Sequence, residues 1–151
     1  MSTPTHIYKI VSSSALPVPL PKALPVSELD QNDGFIHLST EKQLPGTLRR
    51  FFKNDSLVYI LRINYRKVEK NIKWENGKGT GAAFVRLDAL DLHIFCQAPG
   101  GIGEEGIFPH LYNGLRVGKE EIESFKQWEK DSQDSWDTAI DKARADGWFV
   151  Y

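Results

Sequence analysis

The stretch SLVYILRIN (56–64) decides the fold class, because it is the clearest β-strand in the chain and consists mainly of β-branched and other apolar residues. On its N-terminal side, HIYKIV (6–11) alternates apolar and polar residues, and FIHL (35–38) is an extended run that follows turn residues. On its C-terminal side, IKWE (72–75) predicts a short strand that leads into a glycine-rich loop. Together these runs predict a mixed sheet with a few helices.

One helix is expected between the strand at 35–38 and the strand at 56–64. Thr40 and Gln43 match the capping-box pattern of a helix start, whereas Pro45 suits the first helical position after a turn. Both starts are open, and in either case the helix is expected to run to about Lys53.

The C-terminal part of the chain has a different pattern. KEEIESFKQWEK (119–130) places apolar residues at helical spacing, and the run that begins at Trp136 repeats this spacing up to Gly147, a plausible helix stop. WFVY (148–151) is apolar enough to dock on the body of the protein. We therefore expect a helical extension over 118–151, added to a core of about 6–117 within a single domain 1–151.

Three further segments complete the expected organisation. ALPVPLPKALPV (15–26) holds four prolines, which exclude a regular helix and favour an extended segment that lies along the surface. AFVRLDALDLHIFC (83–96) predicts one or two strands, and APGGIGEEGI (98–107), with its four glycines and one proline, predicts a loop.

Composition narrows the class of protein. The 151 residues are 40% apolar and 26% charged, which is typical of one folded domain. One cysteine cannot form an intramolecular disulfide, and the N-terminus lacks the apolar region of a secretory signal. No apolar run approaches the ~20 residues of a membrane span. A formal net charge of −1 argues against general nucleic-acid or membrane binding. The single cysteine and the N-terminus without a secretory signal predict a cytoplasmic location, compatible also with the nucleus.

His37 lies in an otherwise apolar strand, between Ile36 and Leu38. Because side chains alternate along a strand, Phe35, His37 and Ser39 would share the face opposite these two apolar residues. An imidazole and a hydroxyl then lie together. A core histidine with satisfied hydrogen bonds is an equally good interpretation of this pattern.

The motif FPHLY (108–112) carries the second histidine, and the same alternation places His110 and Tyr112 on one side and Leu111 on the other. Tyr112 can stack on a planar ligand or serve as an amphipathic boundary residue. We expect the His37 and His110 side chains to line one solvent-connected cleft, within about 10 Å of each other.

Other polar residues have structural interpretations beside the functional ones. Asp30 and Asp33 are interpreted as turn residues, and Cys96 as a buried thiol. Glu75 ends a strand, where a carboxylate either faces a cleft or is merely solvated. The sequence has no closely spaced ligand pair such as HxH or HExxH, so no metal site is predicted.

These motifs resemble, in combination and in this order, the domain of unknown function 952 family. The resemblance covers roughly residues 6–117 and rests on IYKI (7–10), LDQNDGFIHLSTEKQ (29–43), KWE (73–75) and FPHLYNGL (108–115). The chain departs from the short bacterial pattern in a longer stretch from about 78 to 106 and in the segment from 119 onward.

The resemblance implies an α+β fold similar to the ADP-ribosyltransferase group: a split antiparallel or mixed β-sheet with flanking helices, around a cleft that in relatives binds NAD. FIHLS (35–39) is also similar to the histidine-containing strand of RNA 2′-phosphotransferases. The implied ligand is NAD or a related nucleotide, and the implied reaction is transfer or hydrolysis of ADP-ribose, or removal of a 2′-phosphate. The alternatives are a non-catalytic module that binds a small ligand or a protein, and a metal-dependent hydrolase.

Such a reaction needs hydrogen bonds that fix the ribose, an aromatic face for the nicotinamide, and a carboxylate near its positive charge. The candidate catalytic residues are His37, His110 and Glu75. The candidate ligand-binding residues are Tyr8, Ser39, Thr40 and Tyr112. NAD enters as a substrate, and no other cofactor is implied.

Overall fold

The structure, a computed structural model, describes residues 3–12, 14, 16–77 and 101–151. The strands predicted within 83–96, and Cys96, lie outside the described residues. The elements in chain order are β1 His6–Ser12, α1 Glu28–Asp33, β2 Ile36–His37, α2 Leu44–Phe51, β3 Leu57–Asn64, α3 Tyr65–Val68, β4 Ile72–Asn76, β5 Ile107–Leu111, β6 Ile122–Glu129 and α4 Asp137–Ala145. Among these helices, none is long and apolar enough to cross a membrane.

The strands form two three-stranded sheets, one ordered β1-β3-β6 and the other β2-β5-β4. Every described pairing within them is antiparallel, so the expected α+β class with antiparallel sheets is confirmed. Among the described residues, a bridge between Tyr8 of β1 and Ser39, two residues after β2, joins the two sheets. The main chains of Tyr8 and Ser39 exchange hydrogen bonds of 2.8 and 2.9 Å.

The first sheet is apolar on both faces, since it separates two hydrophobic clusters. One face meets the second sheet, through Ile7, Leu61, Ile63 and Ile122 packed with Ile36, Leu38, Trp74 and Leu111. The other face meets the helices and the C-terminal residues, through Tyr8, Ile10, Val58, Ile60 and Trp128 packed with Leu44, Leu48, Ile140, Trp148 and Phe149. Each fully buried aliphatic side chain contributes about 1.5–3 kcal/mol, so both clusters stabilise this central sheet.

The helix predicted over 119–130 is wrong, because this stretch contains β6, which pairs with β3 along its length. The register shifts at Arg62/Ile63: Ile63 pairs with Ile122, while Arg62 pairs with Ser124. The extra residue, Glu123, places Ile122 and Phe125 on the same face, as in a β-bulge. That spacing of three residues imitates a helix. The segment from 118 onward is therefore not a helical addition.

The other expected helices are confirmed with changed starts. Pro45 lies in the first turn of α2, and the Gln43 side chain accepts a hydrogen bond of 3.2 Å from the Thr40 main chain, one half of the capping box. The predicted second tail helix is α4, and Gly147 follows it at φ +70°. Asp30 and Asp33, for which the sequence predicts a turn, lie in the short helix α1 instead.

The proline-rich segment lies along the protein surface, as expected. The Leu24 main chain donates to Val117, and Lys119 donates to Pro21, at 2.8 and 2.9 Å. Gly118 lies between these two hydrogen bonds, and a β-carbon on it would lie 2.0 Å from the Lys22 carbonyl oxygen. Only glycine permits this approach of the two backbones.

We predict that Gly118→Ala lowers the free energy of unfolding by about 1–3 kcal/mol, because the added methyl group pushes two hydrogen-bonded backbones apart. The matched control is Gly46→Ala in α2, where an added β-carbon meets nothing within 4 Å. That variant is expected to gain up to about 1 kcal/mol from helix propensity. Denaturant unfolding of both variants is the measurement, and equal stability of the two would contradict the prediction.

Candidate functional site

The second sheet places its side chains on two faces of opposite character. The apolar residues of its strands face the first sheet, while the alternate residues lie on the opposite face. Across this polar face, His37 pairs with His110 and His110 pairs with Lys73. Two residues further along β4 on the same face, Glu75 pairs with Phe108. Both histidine motifs and Glu75 are thus brought to one surface.

Asp30 fixes the position of His37 by hydrogen bonds to its ring and its main chain. Its Oδ1 accepts from the His37 ring Nδ1 at 2.6 Å and from the His37 main chain at 3.1 Å. On the other side of the ring, Nε2 lies 3.0 Å from Asp33 Oδ2. When both carboxylates are engaged at once, both ring nitrogens donate, which fixes the orientation of the imidazole.

The carboxylate of Asp30 is buried, with 1% of its side chain exposed, and it also accepts from Lys9 Nζ at 2.6 Å. Burial alone would raise the pKa of Asp30, but the hydrogen bonds from His37 and the charge of Lys9 lower it to about 2. Helix α1 sets the position of this carboxylate. Ser27 caps the helix by accepting from the Asp30 main chain, and Gly34 ends it at φ +79°.

His110 is more deeply buried than His37, with 1% of its surface exposed. Its ring stacks on Phe35 at a centroid distance of 4.1 Å and meets the His37 ring edge at 5.2 Å. Burial and the nearby charge of His37 lower the pKa of His110 to about 3, so the ring is neutral near pH 7. Its Nδ1 has no hydrogen-bond partner among the described residues.

Tyr112, Lys73 and Glu75 form the other end of the cluster. Lys73 Nζ lies 4.3 Å from the centre of the Tyr112 ring, and the Tyr112 hydroxyl donates to Glu75. Burial, together with this hydrogen bond and the charge of Glu75, raises the pKa of Tyr112 above its usual range. Glu75 is 8% exposed, and its Oε1 has no hydrogen-bond partner in the described part of the chain.

The structure thus brings His37, His110, Glu75 and Tyr112 together, at the spacing that the sequence predicted for the histidines. The expected opening to solvent is not seen at His110, which is 1% exposed. That histidine nevertheless differs from a satisfied core residue, since one ring nitrogen is buried without a partner among the described residues.

Tyr8, Ser39 and Thr40 do not join this cluster. Tyr8 is completely buried in the opposite hydrophobic cluster, and its hydroxyl donates to the Val150 carbonyl and accepts from the Val150 amide, both at 2.8 Å. The Ser39 hydroxyl is buried next to Thr47 of α2 at 3.4 Å, away from the ring of His37. Thr40 lines a separate surface depression of about 270 Å³. These three residues therefore lie apart from the cluster around His37 and His110.

Sequence reasoning missed several members of the site: Lys9, Asp30, Phe35 as a stacking partner of His110, and Lys73. Phe35 and Lys73 share strand parity with residues already chosen, His37 and Glu75, and this signal was available. Asp30 was interpreted as a turn residue because its partners lie 21 and 7 positions away. Among the described residues, no group of three or more His, Cys, Asp or Glu side chains is arranged to hold a metal ion.

Comparison with solved structures gives the same architecture. The crystal structure of protein CC0527 from Caulobacter crescentus aligns with this chain at a TM-score of 0.60 and 22% identity, over 91% of this chain and 99% of that one. Its solution NMR structure aligns with a TM-score of 0.57 at 25% identity, over 87% and 91%. The profile of the family described as "Protein of unknown function (DUF952)" matches residues 21–124, and the chain belongs to this family. No curated protein matches.

We predict that the stability difference between wild type and Asp30→Asn depends on pH. Folding lowers the pKa of the Asp30 carboxylate from 3.8 to about 2. At pH values above 3.8 this shift contributes about 2 kcal/mol to the free energy of unfolding, and the contribution is lost as the pH falls through the pKa of the folded state. The difference should therefore be complete at pH 7 and close between about pH 4 and pH 2. Chemical unfolding across that range measures it. Asp137→Asn, which removes an exposed carboxylate paired with Arg49, serves as the control.

A second prediction separates Tyr8 from the site. Tyr8→Phe removes the hydroxyl that both donates to and accepts from Val150, and should lower the free energy of unfolding by about 1–2 kcal/mol. Ring resonances of His37 and His110 in NMR spectra should stay unchanged, because the two sites lie on different faces. A shift of these resonances without loss of stability would contradict this assignment.

Proposed function

We propose that this chain is an ADP-ribosyltransferase-like protein that binds NAD or a related adenine nucleotide on the polar face of its second sheet. Its reaction is the transfer or hydrolysis of ADP-ribose, or the removal of a 2′-phosphate. The observation that carries the proposal is the pairing of His37 with His110 across β2 and β5, with Asp30 fixing the first ring from below.

The Asp30–His37 pair supports a role in positioning. A buried carboxylate that holds one ring nitrogen leaves the other nitrogen to face outward, where a ribose hydroxyl or a phosphate oxygen can replace Asp33 as its partner. About 20% of the His37 side chain is exposed, so a ligand can reach it. A fixed donor aimed at a sugar or phosphate lowers the entropic cost of productive binding.

The other end of the polar face supplies the remaining groups. Tyr112 offers an aromatic ring, and Lys73 beside it offers a positive charge for a phosphate. Glu75 lies two residues beyond Lys73 on the same strand face. Its carboxylate is suited to stabilise the positive charge that develops on the ribose when the bond to nicotinamide breaks.

The reaction makes modest demands on acid–base chemistry. Nicotinamide leaves as a neutral ring from a cationic one, so no strong general acid is needed. The neutral His110 is consistent with such a site, because a buried imidazole of low pKa is not a proton donor to a leaving group near pH 7. The two antiparallel sheets and the family match are compatible with the proposed class.

A second candidate is a binding module without turnover, and one observation favours it. Both ring nitrogens of His37 already have carboxylate partners at 2.6 and 3.0 Å, an arrangement that holds the ring in place and leaves no free nitrogen to act as a base. In that case the ligand would bind and be released unchanged.

The test is a titration of NAD, ADP-ribose and a 2′-phosphorylated dinucleotide into wild type and His37→Ala by calorimetry, followed by analysis of products. We expect at least one ligand to bind wild type, and the variant to bind it at least about tenfold more weakly, since one charge-assisted hydrogen bond is lost. His6→Ala is the matched control, because His6 contacts Glu123 and Arg62 of the first sheet.

The outcomes separate the candidates. Binding with release of nicotinamide or phosphate supports the enzyme, while binding without any product supports the module. Absence of binding by all three ligands, or equal binding by wild type and His37→Ala, contradicts the proposed function.

A further inference from the structure

Two buried polar atoms on the polar face of the second sheet lack partners among the described residues: Glu75 Oε1 and His110 Nδ1. Buried polar atoms without hydrogen bonds are rare, because burial removes their hydrogen bonds to water and replaces them with nothing. Two of them on one face of neighbouring strands therefore point to a ligand that supplies the missing hydrogen bonds.

The two atoms belong to neighbouring positions. His110 lies opposite Lys73, and Glu75 lies two residues further along β4, so Glu75 and His110 are diagonal neighbours on the same face. Such residues have α-carbons about 7–8 Å apart, with somewhat closer side chains. A small group hydrogen-bonded at both ends can bridge this distance.

Their chemistry is complementary and defines the group. A carboxylate oxygen only accepts hydrogen bonds, whereas a neutral imidazole carries its proton on one nitrogen and can donate from Nδ1. With the proton of His110 on Nδ1, the missing group presents an N–H to Glu75 and an oxygen acceptor to His110. An N–H beside a C=O is the edge of an amide.

The surroundings suit a planar ligand. Phe35 already stacks on His110 at a centroid distance of 4.1 Å, and the Tyr112 hydroxyl is hydrogen-bonded to the Glu75 carboxylate. Tyr112 is half-buried and Lys73 is exposed, so this end of the face reaches solvent.

We propose that Glu75 and His110 form a subsite for the amide edge of a planar ligand. This inference deepens the proposed function and rests on it for the position of the ligand. Two kinds of ligand present such an edge, with an N–H next to a C=O: a primary carboxamide, as on nicotinamide, and the lactam of a nucleobase.

The test uses simple probes on the full-length chain, observed by NMR. Nicotinamide and benzamide represent the carboxamide, and inosine and uridine represent the lactam. N,N-dimethylbenzamide, which lacks the N–H, is the matched negative probe. At least one amide should bind and shift the ring ¹⁵N signals of His110, while the dimethylated probe should bind at least about tenfold more weakly. Equal binding of benzamide and its dimethylated form, or no binding by any amide, overturns the inference.

Variants test the two side chains. Glu75→Leu and His110→Phe keep the approximate size of each side chain, and each should weaken the amide probe at least about tenfold. Glu75→Leu should change the melting temperature little, because the loss of the hydrogen bond from Tyr112 is offset by removal of a buried oxygen that has no partner among the described residues. A melting temperature several degrees lower would mean that the carboxylate is structural, and would overturn the inference.

The matched control is Glu121→Leu. Glu121 is an equally buried carboxylate, but its oxygens accept from Arg116 and from the Gly118 main chain at 3.1 and 2.9 Å. Its removal should lower the melting temperature by about 5 °C or more and leave amide binding intact.

The two proposals fail separately. If NAD binds in a manner that depends on His37 but not on Glu75 or His110, the amide subsite is wrong and the proposed function stands. If the amide probes bind through Glu75 and His110 while no nucleotide binds, the proposed function is wrong and the subsite stands.

Discussion

The buried carboxylate of Asp30 is the constraint on which the rest of the site depends. A charge in an apolar environment is tolerated only with close partners, and Asp30 takes them from both sheets: Lys9 from β1 and His37 from β2. The same carboxylate therefore helps to join β1 and β2, whose segments are also linked by the bridge between Tyr8 and Ser39. One oxygen of Asp30 binds each strand, so removal of this residue would leave Lys9 and Nδ1 of His37 without this acceptor.

From this constraint the geometry of the polar face follows step by step. Helix α1 is only six residues long, yet its capped ends place Asp30 beneath His37. Once the ring of His37 is fixed, the antiparallel pairing of β2 and β5 places His110 beside it, and Phe35 packs against both rings. Asp30 and His110 are equally buried, but Asp30 keeps its charge through Lys9 and His37, while burial lowers the pKa of His110 and keeps its ring neutral.

Most of this arrangement could be predicted from sequence wherever contacts obey a local period. The strand at 57–64 follows from its β-branched and apolar composition, and the shared face of His37 and His110 follows from alternation. The start of β5 at Ile107 does not follow, since this residue belongs to the stretch 98–107 that predicts a loop. The prediction failed where geometry depends on distant residues. An extra residue at Glu123 gave β6 the apolar spacing of a helix, and the burial of Asp30 depends on partners that no local pattern reveals.

The order of strands in the first sheet has a consequence for how the chain acquires its shape. β1 begins at residue 6 and β6 ends at residue 129, and β3 pairs with both. Such pairings between distant segments close large loops, so they form slowly and late. During synthesis, the N-terminal strand that supplies Lys9 emerges long before β6 can complete the sheet. The edge of β3 that pairs with β6 therefore stays unpaired until residues 122–129 have been made, and an unpaired apolar strand favours aggregation.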